Sequence, residues 1–189
     1  MLVEQLLRPF GYLAIRHPHK WRVDWLYPGT LALVTTGLIL LGSPKKIIAS
    51  DGGGLVQLVL SFVQGLPGFY IAALAAIATF GRPDIDEVLP APTPKVVIRS
   101  RGVDNLVDLT RRRFLAMLFS FLTAESLLII VFSLFLISHG AGLFSFYDFR
   151  FRSEAFVAGG ICFFYFLLFF QMIVSTFWGL YYLGYKLHE

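Results

Sequence analysis

Four stretches of this chain, 25–42, 55–80, 114–140 and 155–185, run for helix-spanning lengths with a single charge among them, Glu125. A lipid interior offers no water to bond free N–H and C=O groups, so apolar runs of about 20 residues close their hydrogen bonds internally as helices. With 57% of residues hydrophobic and 15% charged, the chain is too apolar for one soluble core and for a disordered polymer. The expected fold class is all-α: four transmembrane helices in a lipid bilayer. Run 25–42 is near the minimum spanning length and is the one that could be re-entrant, whereas 155–185 is long enough to tilt. The expected units are an N-terminal interfacial helix in 1–24, transmembrane helices in 25–80, a structured basic segment in 81–113 and two further helices in 114–185.

Orientation follows from the basic residues. Arg8, Arg16, Lys20, Arg22, Arg82, Lys95, Arg99, Arg101, Arg111, Arg112, Arg113 and Lys186 fall on one side, and Lys45, Lys46, Arg150 and Arg152 on the other. That split of twelve to four places both termini and 81–113 in the cytosol, and the protein as a multi-pass component of the inner (cytoplasmic) membrane. Trp21, Trp25, Trp178, Tyr181, Tyr182 and Tyr185 cluster at the same boundary as an aromatic belt. The start, MLVEQLLRPFGYLAIRHP, has neither a basic n-region nor an A-x-A-like site, so no cleaved signal peptide is expected. Cys162 is the sole cysteine and forms no intramolecular disulfide.

Between the runs, residues 2–15 carry Leu2, Leu6, Leu7, Phe10, Leu13 and Ala14 at helical spacing. Such a helix either lies on the membrane surface or packs against the bundle. SPKKIIASDGGG at 43–54 reads as an external turn. Pro90, Pro92 and Pro94 give 81–113 an extended start, KVVIR is compatible with a short strand, and Asp104 is expected to cap a helix through VDLTRRRF into the third span. Asp108 and Arg112 would pair along that helix.

Enzyme signatures are missing: no G-x-x-x-x-G-K-[ST], G-x-S-x-G or H-E-x-x-H occurs, so no catalytic residue and no cofactor is expected. His17 and His19 form an H-P-H without neighbouring acids or cysteines, which suits a solvated pair better than a metal site. The informative residues are polar ones inside the spans. Gln57, Ser61, Gln64 and Gly68 recur on one face of the second helix, Pro67 allows a kink there, and Glu125 and Gln171 lie near mid-span. At about 1.5 Å per residue, Gln64 sits roughly 14 Å from the outer surface and Glu125 roughly 17 Å from the inner one, close to the same depth. Buried glue within one bundle is one role for such groups, with Glu125 donating to Gln64 or Gln171; lining an ion path is the other. The repeating Gln57–Gly68 face favours a pore, with Glu125 as a further lining candidate.

The second feature is basic. Arg111–Arg113 beside the third span fit an orientation signal and anionic headgroups. Lys95, Arg99 and Arg101 alternate along an extended stretch, a row suited to phosphates. With the four-span architecture, KVVIRSRG, the adjoining RRR and the polar Gln57–Gly68 face, the chain resembles four-span membrane effectors of bacterial anti-phage defence, the Hailong-type effector in particular. That resemblance implies a homo-oligomer that opens a pore when a nucleotide or oligonucleotide signal reaches its cytosolic side. Lys95, Arg99, Arg101, Arg111, Arg112 and Arg113 would sense the anion. The competing expectation is a non-conducting membrane subunit that serves as immunity or assembly partner of another membrane protein.

Overall fold

The computed structural model describes residues 2–41, 54–79, 81, 83–100, 103–145 and 152–184. Of the expected external turn at 43–54, residues 43–53 lie outside them, as do Arg82, Arg101, Arg150, Tyr185 and Lys186.

The chain starts with α1 (Leu2–Leu7), which tightens into a 3₁₀ helix over Arg8–Ala14 with Pro9 in its first turn. A π-helical turn, Arg22–Leu26, opens into α2 (Tyr27–Leu41). The second span is two helices, α3 (Leu55–Val63) and α4 (Leu66–Thr79), broken at Gln64–Gly65. Pro67 has no N–H to offer the carbonyl of Val63, so the expected kink is a break in the ladder. A hairpin, β1 (Lys95–Ser100) and β2 (Val103–Asp108), precedes the long helices α5 (Arg111–Ser145) and α6 (Arg152–Gly184). Among the described residues, four helical stretches are long and apolar enough to cross a membrane: Arg22–Leu41, Leu55–Thr79, Arg111–His139 and Phe156–Tyr181. The fold is all-α with one two-stranded hairpin.

Packing does not follow chain order. α2 lies on α6, α6 on α5, and α5 on both α3 and α4. Val56, Val59 and Val63 turn the buried face of α3 inward, and Phe114, Leu118, Phe121, Leu122 and Ile129 run down the core of α5. Gly179 lets α6 approach closely: a Cβ there would stand 2.5 Å from Leu118 Cδ2. Two hydroxyl pairs tie helices across the interior, Tyr70 to Thr176 at 2.9 Å and Ser133 to Tyr165 at 2.7 Å.

The N-terminal region divides between its two expected placements. Leu2, Val3, Leu6 and Leu7 stay exposed, while Tyr12 is fully buried and stacks on Phe121 with ring centroids 5.0 Å apart. Phe114 and Trp178 also stand against its ring.

The segment after α4 corrects one expectation. Residues 103–108 form a strand, and the helix begins at Arg111. Val103, Asp104, Asn105 and Val107 are poor helix formers, and the neighbouring KVVIRS offers a full set of backbone partners. The register runs from Lys95 opposite Asp108 to Ser100 opposite Val103. Asp108 accordingly faces Lys95 across the hairpin at 3.5 Å, and Arg112 takes a different acid, Asp86. Main-chain bonds fasten this unit on two sides. Arg16 and Lys95 exchange N–H···O bonds of 2.8 and 3.0 Å, and Leu89 and Arg111 donate to Leu109 and Glu87.

Candidate functional site

The Gln57–Gly68 face points out of the helix bundle. Gln57, Ser61, Gln64 and Gly68 are all exposed, opposite the buried Val56–Val59–Val63 face. Ser61 satisfies its own hydroxyl on the Gln57 carbonyl at 2.9 Å, a local bond that leaves the two amides outward. Many outward positions on the other spans are aliphatic or aromatic, among them Leu33, Leu38, Val131 and Phe177, with exposed polar residues such as Thr30, Arg113 and Ser138 near their ends. Glu125 does not share that face: it is 1% exposed, inside the bundle.

There it joins a buried polar group that sequence reasoning had largely passed over. Lys20 and Asp24, 2% and 3% exposed, form an ion pair one turn apart. Gln171 donates to the Asp24 carbonyl at 2.9 Å, so it serves the first span and not Glu125. The Lys20 ammonium also stands over the Tyr12 ring, 3.8 Å from its centroid. Burial lowers the Lys20 pKa from its ordinary value, and the Asp24 charge opposes that. Burial, and after it the Asp24 carboxylate, push the Tyr12 hydroxyl well above its ordinary pKa, with Ser175 pulling the other way and Glu125 adding a smaller push. Both Glu125 oxygens, Asp24 Oδ1, the Tyr12 hydroxyl and Ser175 Oγ find no protein partner of good hydrogen-bond geometry. The available signal was the i, i+4 pair Lys20–Asp24 immediately before an apolar run, a place where unpaired charges would ordinarily stay in solvent.

The expected anion-sensing bases separate. Arg112 is held by Asp86 through two bonds of 2.7 and 3.1 Å, and its third bond, 2.7 Å, goes to the Ile77 carbonyl in the last turn of α4. It therefore caps a helix whose final carbonyls lack intrahelical donors. Arg111 stands 3.9 Å from Glu87, and Arg113 is exposed. Arg99 takes its register opposite Asp104 in β1, and Arg101 lies outside the described residues. Among the described side chains of this basic set, Lys95 borders a cavity.

That cavity, of about 650 Å³, opens between the 13–25 stretch and the hairpin side of the molecule. Arg16, His17, Lys20, Trp21, Asp24 and Trp25 line one wall; Pro92, Thr93, Lys95 and Leu106 line the other. The Arg16–Lys95 backbone bridge closes one edge. Its size is that of a small-molecule pocket. Among the described residues, no group of three or more His, Cys, Asp or Glu is placed to hold a metal ion. Cys162 is buried and unpaired.

Four long apolar helices around one buried core define a multi-pass, all-α membrane protein. No protein family, curated protein or solved structure matches the chain.

Proposed function

We propose that the chain is one subunit of a homo-oligomeric membrane channel whose ion path is lined by Gln57, Ser61, Gln64 and Gly68 on α3 and α4. The observation that carries this reading is the outward direction of that polar face. Amides held against hydrocarbon are costly, and copies of the subunit arranged with these faces inward would give them water. One subunit is a filled bundle, with Phe121, Leu122, Ile129 and Met172 in its interior, so a conducting path belongs between subunits. Glu125, enclosed in the bundle, takes no part in the lining.

The distribution of bases supports an inner-membrane protein with cytosolic termini and the hairpin on the cytosolic side. An anionic signal, a nucleotide or oligonucleotide, would act there. The hairpin suits the task because Leu109 and Thr110 connect it directly to the first turn of α5, the helix on which α3 and α4 pack. A role in anti-phage defence accords with the Hailong-type resemblance of the sequence.

Recording from purified protein in planar bilayers tests the proposal. Discrete conductance is expected, with Gln64→Leu changing its unitary size. Silence in the presence of nucleotides and oligonucleotides, from protein shown to be assembled, would instead identify a non-conducting membrane subunit.

A further inference from the structure

The cavity beside the Arg16–Lys95 bridge has the chemistry of a phosphate site. Three bases, Arg16, Lys20 and Lys95, line it against one acid, Asp24, which is paired with Lys20; Lys95 also faces Asp108 at 3.5 Å across the hairpin, an exposed pair outside the lining. Arg16 and Lys95 approach from different walls, brought together because their main chains bond to each other. Their side chains are exposed and extend from a bridge that does not depend on them. Trp21 and Trp25 add two large rings to the wall, both about half exposed. A bare inorganic anion would leave those rings unused. A phosphate ester uses both parts: the phosphate meets guanidinium and ammonium donors, and its organic portion lies on indole and on Pro92 and Leu106.

We infer that this cavity binds the phosphate group of a phosphate ester between Arg16 and Lys95, with Lys20 at its floor. Two sources offer that chemistry, the headgroup of an anionic phospholipid and a soluble nucleotide. The floor has a further property. Lys20 and Asp24 belong both to the cavity lining and to the buried group that contains Tyr12 and Gln171. A phosphate that draws on the Lys20 ammonium weakens its hold on Asp24, and so reaches the contact between the first span and α6. This regulatory consequence rests on the channel reading; occupancy of the cavity does not.

The test follows tryptophan fluorescence of the full chain in phosphatidylcholine nanodiscs, first with ATP added and then with phosphatidylglycerol built into the disc. A saturable response is expected from at least one probe, weakened about tenfold or more in Arg16→Gln/Lys95→Gln. Arg8→Gln, an exposed base away from the cavity, should respond as the parent does. A response to ATP assigns the soluble source, and one confined to phosphatidylglycerol assigns the lipid; either supports the site. Absence of a response to both probes, or an equal response in the double variant, overturns it. Thermal unfolding of the double variant at the parent temperature shows that the loss is local. Binding without conductance removes the channel and leaves the site, whereas conductance without binding does the reverse.

Discussion

Lys20 and Glu125 show how differently two buried ionisable side chains can be held. Lys20 has a carboxylate partner and an aromatic ring against its ammonium; Glu125 has neither donor nor counter-ion in hydrogen-bond range. Their substitutions should diverge accordingly. Lys20→Met leaves Asp24 buried without a partner, and loss of one member of a buried pair costs about 3–5 kcal/mol. Lys20→Met/Asp24→Asn removes both charges and should recover most of that loss. Glu125→Gln breaks no bond and should unfold at the parent temperature or above it. Thermal unfolding in detergent measures all three, and a Glu125→Gln protein as damaged as Lys20→Met would mean that Glu125 has a partner essential to the fold. Asp24 illustrates what a sequence withholds at this scale. It sits at the edge of an apolar run, where an acid ordinarily reaches solvent; here it is buried beside Lys20, with Gln171 of α6 bonded to its backbone carbonyl.

The elements were legible where one periodicity ruled and obscure where two competed. Long uncharged runs admit only helix in lipid, and α2, α5 and α6 follow the expected spans closely. Residues 103–110 could continue a helix or pair with KVVIRS, and the decision depended on a partner strand that VDNLVD alone does not reveal. With the strand in place, Arg112 falls in the first turn of α5 and reaches back to α4. Its bonds to Asp86 and to the Ile77 carbonyl fasten the end of α4 against the beginning of α5. The Arg112 guanidinium, chiefly through its hydrogen bond, holds the Asp86 carboxyl below its ordinary 3.8. A carboxylate whose folded pKa is lowered stabilises the fold fully above its unfolded value, and that contribution vanishes as pH falls through the folded one. The acid limb of a stability profile below pH 3.8 should therefore be shallower in Asp86→Asn than in the parent. Near neutral pH, Arg112→Ala should lower the unfolding temperature modestly, through the uncapped carbonyl and the lost pair. A profile for Asp86→Asn that coincides with the parent at every pH would remove this connection.

At the scale of the whole molecule, the chain exposes two kinds of surface to its surroundings. Leu33, Val34 and Leu38 on α2 suit acyl chains, whereas Gln57, Ser61 and Gln64 on α3 and the helix break suit water or other amides. α2 and the α3–α4 pair sit at opposite ends of the packing order, because α6 and α5 lie between them. In the symmetric ring that the channel proposal requires, only one of these surfaces can face the axis. The single cysteine makes the choice measurable, since Cys162 is buried and its replacement by Ser clears the background. In Cys162→Ser protein, Ser61→Cys should form disulfide-linked dimers under mild oxidation in membranes, as equivalent positions converge near the axis. Leu33→Cys, directed to lipid, should remain monomeric under the same conditions. Crosslinks at Leu33→Cys with none at Ser61→Cys would put α2 at the subunit boundary and leave the polar face without an axis to line.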